Sequence, residues 1–139
     1  MASFNTGATR TADTGKYDYE GFLSPLVLDR YAEYMHKHRS TPDGGFRASD
    51  NWQLGIPLVN YMKSLWRHFM DVWRQHRGLP GQDTLEEGLC AILFNTSGYL
   101  HETIKARLQA EKVAKDLHDN LGVSTGVEGG VPVVYTKTV

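Results

Sequence analysis

Apolar side chains recur at the spacing of one helix face along residues 57–77, and this pattern constrains the fold more than any other part of the chain. They lie three or four residues apart, as the buried stripe of an amphipathic helix requires. Arg77 and Gly78 then match the basic last turn and the glycine of a helix end. We therefore predict a helix here, with this stripe: Leu58, Tyr61, Met62, Leu65, Trp66, Phe69, Val72 and Trp73.

One further helix is expected on each side of this one. Ser24 and Pro25 are a hydroxyl cap and a first-turn proline, and they predict a helix over residues 25–39. A third helix starts after Asp83 or Thr84 and runs to about residue 119, with a bend at residues 96–98 left open. Residues 40–56 are predicted to form an irregular loop, and a loop of this length is often functional.

These elements predict an all-α helical bundle over residues 16–119, in a chain of 139 residues that suffices for one domain. Residues 1–15 are polar and aperiodic, which predicts a flexible arm. Residues 120–139 are glycine-rich and then β-prone, and are expected to form a tail, a small hairpin or a strand that pairs with another subunit. Because stripes this wide cannot all be covered in one small subunit, we expect a homo-oligomer, a dimer or a tetramer.

Charge and composition exclude several partners and locations. A net charge of −1 and a pI near 6.6 give no general attraction to nucleic acid or to an anionic membrane. The first residues are polar, and no apolar run approaches the roughly 20 residues of a membrane span. Cys90 lies in an apolar helical run and is interpreted as a core thiol in a reducing compartment. We therefore expect a cytoplasmic protein that binds neither nucleic acid nor membrane.

Polar groups line one face of the third predicted helix. Glu87, Ala91, Asn95, Gly98 and Glu102 share this face, so polar side chains alternate with residues too small to fill the space beside them. Such a polar groove suits a divalent cation with its anionic ligand, since unpaired charges beside a core are costly. The alternative is that the adjacent glutamates at the helix start only stabilise the helix dipole.

Acidic and histidine side chains on the first two helices each have a functional and a structural interpretation. Asp29, Glu33 and His36 share a face of the first helix and form either a ligand set or a solvated face. His68, with Asp71 next to it on the second helix, is as often structural as catalytic.

Basic and aromatic residues are candidates for binding a nucleotide. Asn51 and Trp52 offer an amide that reads a base edge and a ring on which a base stacks, although Trp52 is equally a lid anchored in the core. Lys63 and Arg67 lie on the polar side of the second helix, where a solvated face, an oligomer interface or a phosphate pocket would use them. Lys16 sits where the flexible arm could carry it to a phosphate.

Motif searches disfavour several enzyme classes. The sequence has no H-E-x-x-H, paired C-x-x-C, G-x-S-x-G or dinucleotide glycine fingerprint. Hydrolysis assisted by a bound cation remains, because magnesium-type ions take oxygen ligands, keep several waters and bridge to substrate phosphates.

Four blocks of the sequence resemble one bacteriophage family. In order, over about residues 15–105, they are GKYDYEGFLSPLVLDRYAEYMHKHR, SDNWQLGIP, YMKSLWRHFMDVWRQHRG and LEEGLCAILFNTSGYLHE. The blocks resemble the dATP/dGTP diphosphohydrolases, some of which are called MazZ. That family is similar to the all-α MazG-like nucleoside triphosphate pyrophosphatases, in which helices of a bundle present carboxylates to magnesium or manganese.

The resemblance implies a reaction and a metal motif. The reaction is cleavage of a purine deoxynucleoside triphosphate, foremost dGTP, between the α and β phosphates, in the supply of precursors for 2-aminoadenine DNA. The glutamate of the family's E-x-x-D motif matches Glu86 or Glu87, whereas the aspartate position falls on Leu89 or Cys90. One metal ligand must therefore come from elsewhere in the chain.

Glu33 and Asp71 are the best candidates for the missing ligand. Two or more Mg²⁺ or Mn²⁺ ions would then hold the triphosphate and activate the attacking water. The resulting hypothesis assigns Glu33, Asp71, Glu86 and Glu87 to the metal, with Glu33, Asp71 and Glu87 catalytic, Lys16, Lys63 and Arg67 to the phosphates, and Asn51, Trp52 and Asn95 to the nucleoside.

Two alternatives stay open. Glu33-x-x-His36 is one copy of a motif that di-iron carboxylate proteins use twice. A non-enzymatic interaction module, in which the helices only build an oligomer, would respond neither to metal nor to nucleotide.

Overall fold

The structure, a computed structural model, describes residues 1–136 and is 57% helical. In chain order it contains β1 (Ala2–Ser3), β2 (Thr9–Arg10), α1 (Tyr19–Phe22), α2 (Pro25–Lys37), a 3₁₀ turn (Asn51–Leu54), α3 (Leu58–His76), α4 (Leu85–Leu121), β3 (Val123–Glu128) and β4 (Val131–Thr136). Among the described residues, none of these helices combines the length and the apolarity needed to cross a membrane.

Local capping signals begin two of the three long helices where the sequence predicts them. The Ser24 hydroxyl accepts a hydrogen bond from the Val27 N–H at 3.4 Å, ahead of Pro25 at the first turn of α2. The Thr84 hydroxyl caps α4 in the same way, through the Glu87 N–H at 3.3 Å. Helix α4 is continuous through residues 96–98 and ends at Gly122, whose φ of 64° suits glycine.

The all-α prediction is wrong, because an antiparallel hairpin stands at each end of the described chain. Strand β1 pairs with β2, so part of the predicted flexible arm forms a small hairpin. Strands β3 and β4 pair through a Gly129-Gly130 turn, in which both glycines have positive φ. Two such residues between β-branched runs favour a tight hairpin over a helix or a tail. Residues 137–139, at the end of the predicted tail, lie outside the described residues.

Helix α4 is the centre of the packing. Its small residues let α3 approach: a Cβ on Gly88 would lie 2.7 Å from Val72, and one on Gly98 would lie 2.3 Å from the Tyr61 ring. On another side, Tyr34 of α2 packs against Cys90 and Ala91. The predicted core position of Cys90 is confirmed, since its side chain is buried. The fully buried core of one chain is nevertheless small, with these hydrophobic members: Tyr34, Tyr61, Cys90 and Ala91.

Candidate functional site

The loop after α2 folds back onto the end of that helix. A bridge pairs Ser40 with Phe46, and the Arg47 N–H donates to the Arg39 carbonyl at 2.8 Å. Both arginine side chains hold the loop against the end of α2. Arg39 Nε donates to the Arg47 carbonyl at 2.8 Å, and Arg47 Nη1 donates to the His38 carbonyl at 3.2 Å. A guanidinium carries five N–H groups, so each arginine retains donors beyond these bonds.

The next part of the loop lies against α4. The Trp52 ring meets His101 edge-on with 4.8 Å between ring centroids, and the Lys105 ammonium reaches the Gln53 carbonyl at 3.5 Å. These contacts fix the 3₁₀ turn, which carries Asn51 and Trp52, over the helix. The loop predicted to be functional is therefore held at both of its ends.

A cavity of about 440 Å³ lies between α2, this loop and α4. Aromatic and apolar side chains form part of its wall, including Trp52, Tyr34 and Phe94. Basic and polar side chains form the rest, and the full lining is Tyr34, Met35, His38, Arg39, Arg47, Ala48, Ser49, Asn51, Trp52, Ile56 and Phe94. A cavity of this size and composition suits a ligand with a flat ring and an anionic group.

Three of the predicted metal ligands converge around Arg30 of α2, which lines a second surface depression and not this cavity. The Arg30 guanidinium lies 2.9 Å from Glu87, 3.8 Å from Glu33 and 3.9 Å from Glu86. Lys37 approaches the other oxygen of Glu87 at 3.3 Å. Glu33 and Glu86 are largely exposed, whereas Glu87 is mostly covered. The cluster thus joins one face of α2 to the start of α4.

Glu87 is the electrostatic centre of this cluster. The hydrogen bond from Arg30 lowers the pKa of Glu87, partial burial opposes that effect, and Lys37 adds to the lowering. The same hydrogen bond raises the pKa of Arg30. Burial, together with the negative charge of Glu87, raises the pKa of Tyr34 to about 12. Tyr34 also lines the cavity, whereas none of the three carboxylates does.

Carboxylate oxygens are the ligands that a hard divalent cation prefers, but the three carboxylates of this cluster, from two helices, already gather around a positive side chain. That positive group is Arg30, and within residues 1–136 no three His, Cys, Asp or Glu side chains are arranged to hold a metal ion. An ion at Glu87 therefore has to displace the guanidinium of Arg30 or the ammonium of Lys37. His36 is exposed, and no other described group joins it and Glu33 as a di-iron site would require.

Asp71 is structurally engaged elsewhere. Its oxygens accept hydrogen bonds from the Gln82 N–H at 2.8 Å, from the Asp83 N–H at 3.4 Å and from the Gln75 amide at 3.1 Å. The bond from Gln82 is the main cause that lowers the pKa of Asp71, and burial opposes it. The structure therefore uses Asp71 to fasten the α3–α4 connection and does not bring it into the cluster around Arg30.

The predicted polar groove on α4 is filled by α3. Ala91, Asn95 and Gly98 are buried, and the Tyr61 ring occupies the space beside Gly98, so this face is not an open groove. The Asn95 amide donates to the Ala91 carbonyl at 2.8 Å, within its own helix. The Tyr61 hydroxyl and Glu102 Oε1 are buried, and neither has a hydrogen-bond partner among the described residues.

Among the residues assigned to substrate, only Asn51 and Trp52 line the cavity. Lys16 pairs with Asp13, Lys63 is exposed on α3, and Arg67 bonds to Ser64. The sequence reasoning missed the basic side of the cavity, which is formed by His38, Arg39 and Arg47. The basic run at residues 36–39, at the end of a predicted helix and before a long loop, was the available signal.

The cavity and the carboxylate cluster together place aromatic, cationic and acidic groups around one region of the chain. Comparison with protein-family models, with curated proteins and with solved structures found no match to this chain.

Proposed function

We propose that this chain is a nucleoside triphosphate pyrophosphohydrolase that converts a purine deoxynucleoside triphosphate, foremost dGTP, to the monophosphate and pyrophosphate. The observation that carries the proposal is the cavity lined by Trp52, Asn51 and basic side chains, with the carboxylate cluster gathered at Arg30, about one helical turn before Tyr34 of the cavity wall. In this proposal Trp52 and Asn51 bind the base, the basic side chains bind the polyphosphate, and the carboxylates serve hydrolysis. The sequence resemblance, which supplied the substrate class, supports the same conclusion.

In this proposal the nucleoside binds between aromatic side chains. Trp52 stacks on the purine, since its ring is held against His101 and loses little freedom when the base arrives. Asn51, beside it, offers an amide donor and an amide acceptor to the base edge.

The phosphates bind at the basic edge of the cavity. Arg39 and Arg47 supply charged N–H donors that their loop contacts leave free, and guanidinium groups pair well with phosphate oxygens. Their fixed attachment to the loop orients these donors before the substrate arrives.

Glu33, Glu86 and Glu87 would hold the Mg²⁺ or Mn²⁺ ions, two or more of which the proposal requires. When bound, these ions supply positive charge to the triphosphate and a more acidic water. Arg30 keeps the three carboxylates gathered, and its pairing keeps Glu87 ionised and ready to act as a ligand.

The proposal also includes a homo-oligomer and a cytoplasmic location, that of the host cell for a phage-encoded enzyme. The purine and deoxyribose preferences come from the resemblance. A non-enzymatic interaction module is the second candidate, favoured by the many large apolar side chains that are exposed in one chain.

The decisive assay incubates the purified chain with dGTP, dATP, GTP or dUTP and with Mg²⁺ or Mn²⁺. We expect dGMP and pyrophosphate, identified by ³¹P NMR. Orthophosphate as the first product would exclude the proposed cleavage site, and inertness toward every nucleotide would favour the interaction module.

Substitutions of cavity and cluster residues test whether the activity resides at this site. Trp52→Ala is expected to raise KM for dGTP about fivefold or more, because a base stack is worth roughly 1–3 kcal/mol, whereas Trp52→Phe should retain most of the affinity. Glu87→Gln should abolish both turnover and Mn²⁺ binding measured by electron paramagnetic resonance. Glu111→Gln, an exposed glutamate paired with Arg107 on the same helix, is the matched control.

A further inference from the structure

Both oxygens of Glu87 are occupied by cationic side chains of α2. The Arg30 guanidinium donates a hydrogen bond to Oε1 at 2.9 Å, and the Lys37 ammonium lies 3.3 Å from Oε2. Metal coordination uses the same oxygen lone pairs as these contacts, so a divalent cation and the two side chains compete for Glu87. While both side chains stay in place, they compensate two of the three carboxylates, and an incoming cation meets only one net negative charge.

The Arg30 side chain has room to leave Glu87. Its contacts with Glu33 and Glu86, at 3.8 and 3.9 Å, are longer than hydrogen bonds, so the bond to Glu87 is its strongest contact among the described residues. Beside it lies a surface depression of about 260 Å³, bordered mainly by apolar side chains of α2 and α4. The Arg30 backbone is held separately, because its carbonyl lies 3.9 Å from the Cys90 thiol. The guanidinium can therefore move while α2 stays in place.

Lys37 connects the cluster to the basic edge of the cavity. It directly precedes His38 and Arg39, which line the cavity, and its side chain is 64% exposed. Arg30 lies seven residues earlier, about two turns along the same helix, and reaches the same carboxylate. A polyphosphate held at the basic edge would offer both cations new partners, since guanidinium and ammonium groups pair well with phosphate oxygens.

We propose that Arg30 and Lys37 are exchangeable counter-ions of Glu87, which oppose binding of a divalent cation until a polyphosphate offers them other partners. Metal and nucleotide then bind cooperatively, because each favours the state in which these side chains have left Glu87. This inference rests on the proposed function, from which it takes the metal cluster and the nucleotide cavity.

Mn²⁺ binding to the full chain, followed by electron paramagnetic resonance without nucleotide, tests the competition apart from turnover. Arg30→Met and Lys37→Met should each strengthen Mn²⁺ binding about fivefold or more, because each removes a competing charge and keeps an apolar stem. A purely structural role of Arg30 predicts the opposite, a loosened cluster that binds Mn²⁺ more weakly. Arg107→Met is the matched control, since it removes the same charge from an exposed pair with Glu111 and should leave the affinity unchanged.

The result for Lys37→Met decides the matter even if Arg30→Met does not fold, because Lys37 is largely exposed. Variants that bind Mn²⁺ no more tightly than the wild type, or that bind none, would overturn the proposal. If the wild type nevertheless cleaves dGTP to dGMP and pyrophosphate, the proposed function stands without it.

Nuclear magnetic resonance of the wild type tests the release of Arg30 directly. The arginine Nε–H signal that is lost in Arg30→Met should shift only slightly with Mg²⁺ alone. It should shift fully once a dGTP analogue with a non-hydrolysable α–β bridge is added. A Trp52 indole signal that responds to the analogue while the Arg30 signal stays in place refutes the exchange but not the nucleotide site. If neither signal responds, both the exchange and the proposed function fail.

Discussion

The contact between Gly98 and Tyr61 determines whether Gly98→Ala stabilises or destabilises the protein. In an open helix position, replacing glycine by alanine stabilises a protein by about 1 kcal/mol. At Gly98 the added Cβ would lie 2.3 Å from two ring atoms of Tyr61, well inside van der Waals contact. Tyr61 is 1% exposed and cannot swing into solvent. We therefore expect Gly98→Ala to destabilise the protein.

The magnitude follows from two opposing terms. Overpacking a well-packed core costs about 1–3 kcal/mol, and the helix propensity of alanine returns about 1 kcal/mol of that. A net loss of up to about 2 kcal/mol is expected, which lowers the melting temperature by up to roughly 10 °C at a fixed protein concentration. Urea denaturation followed by circular dichroism measures the free energy of unfolding directly.

A double-mutant cycle identifies the cause. In a Tyr61→Leu background the ring atoms nearest Gly98 are absent, so Gly98→Ala should become neutral or stabilising. Ser97→Ala, at the exposed neighbouring position, controls for helix propensity and should change stability by only a few tenths of a kcal/mol. A stabilising Gly98→Ala in the wild-type background would refute the close approach of α3 and α4.

Three further predictions concern the polar groups. Pairing with Arg30 lowers the pKa of Glu87 below its ordinary value of 4.5, so this stabilisation is present above that value and is lost as the pH falls through the folded pKa. Denaturation between pH 3 and 7 should therefore show a shallower acid limb for Glu87→Gln than for the wild type, and equal limbs would contradict the ion pair. Asp71→Ala should accelerate hydrogen exchange at the Gln82 and Asp83 amides, and unchanged exchange would mean that Asp71 does not hold this connection. Tyr61→Phe should leave stability unchanged or raise it by about 1 kcal/mol, because the hydroxyl has no described partner, and a clear loss in urea denaturation would reveal one.

The long helices were predictable because their signals are local. Ser24 and Thr84 cap the helices that follow them, and the stripe from Leu58 to Trp73 repeats within a single element. The grouping of Ala91, Asn95 and Gly98 on one face of α4 was predictable for the same reason, since these residues recur at helical spacing.

Features that depend on the meeting of distant residues were not predictable. The groove at Gly98 was expected to be open because the sequence does not show that the Tyr61 ring of α3 packs against Gly98 in the folded chain. Asp71 was predicted to be a metal ligand because the sequence does not show its real partners. It accepts hydrogen bonds from the Gln82 and Asp83 N–H groups, and these reach it only through the turn of the chain after α3. Likewise, the basic edge of the cavity forms only when Arg47 folds back onto the end of α2.

Side chains on three sides of α4 contact different parts of the structure. Gly88 and Gly98 face α3, Phe94 lines the cavity, and Leu93 borders a depression with Leu26 and Val27 of α2. Consecutive helical residues differ in direction by about 100°, so Leu93 and Phe94 point to different sides although they are neighbours in sequence. A substitution at Trp52, which lines the same cavity as Phe94, should therefore alter nucleotide binding without altering the packing of α4 against α3 at Gly88 and Gly98.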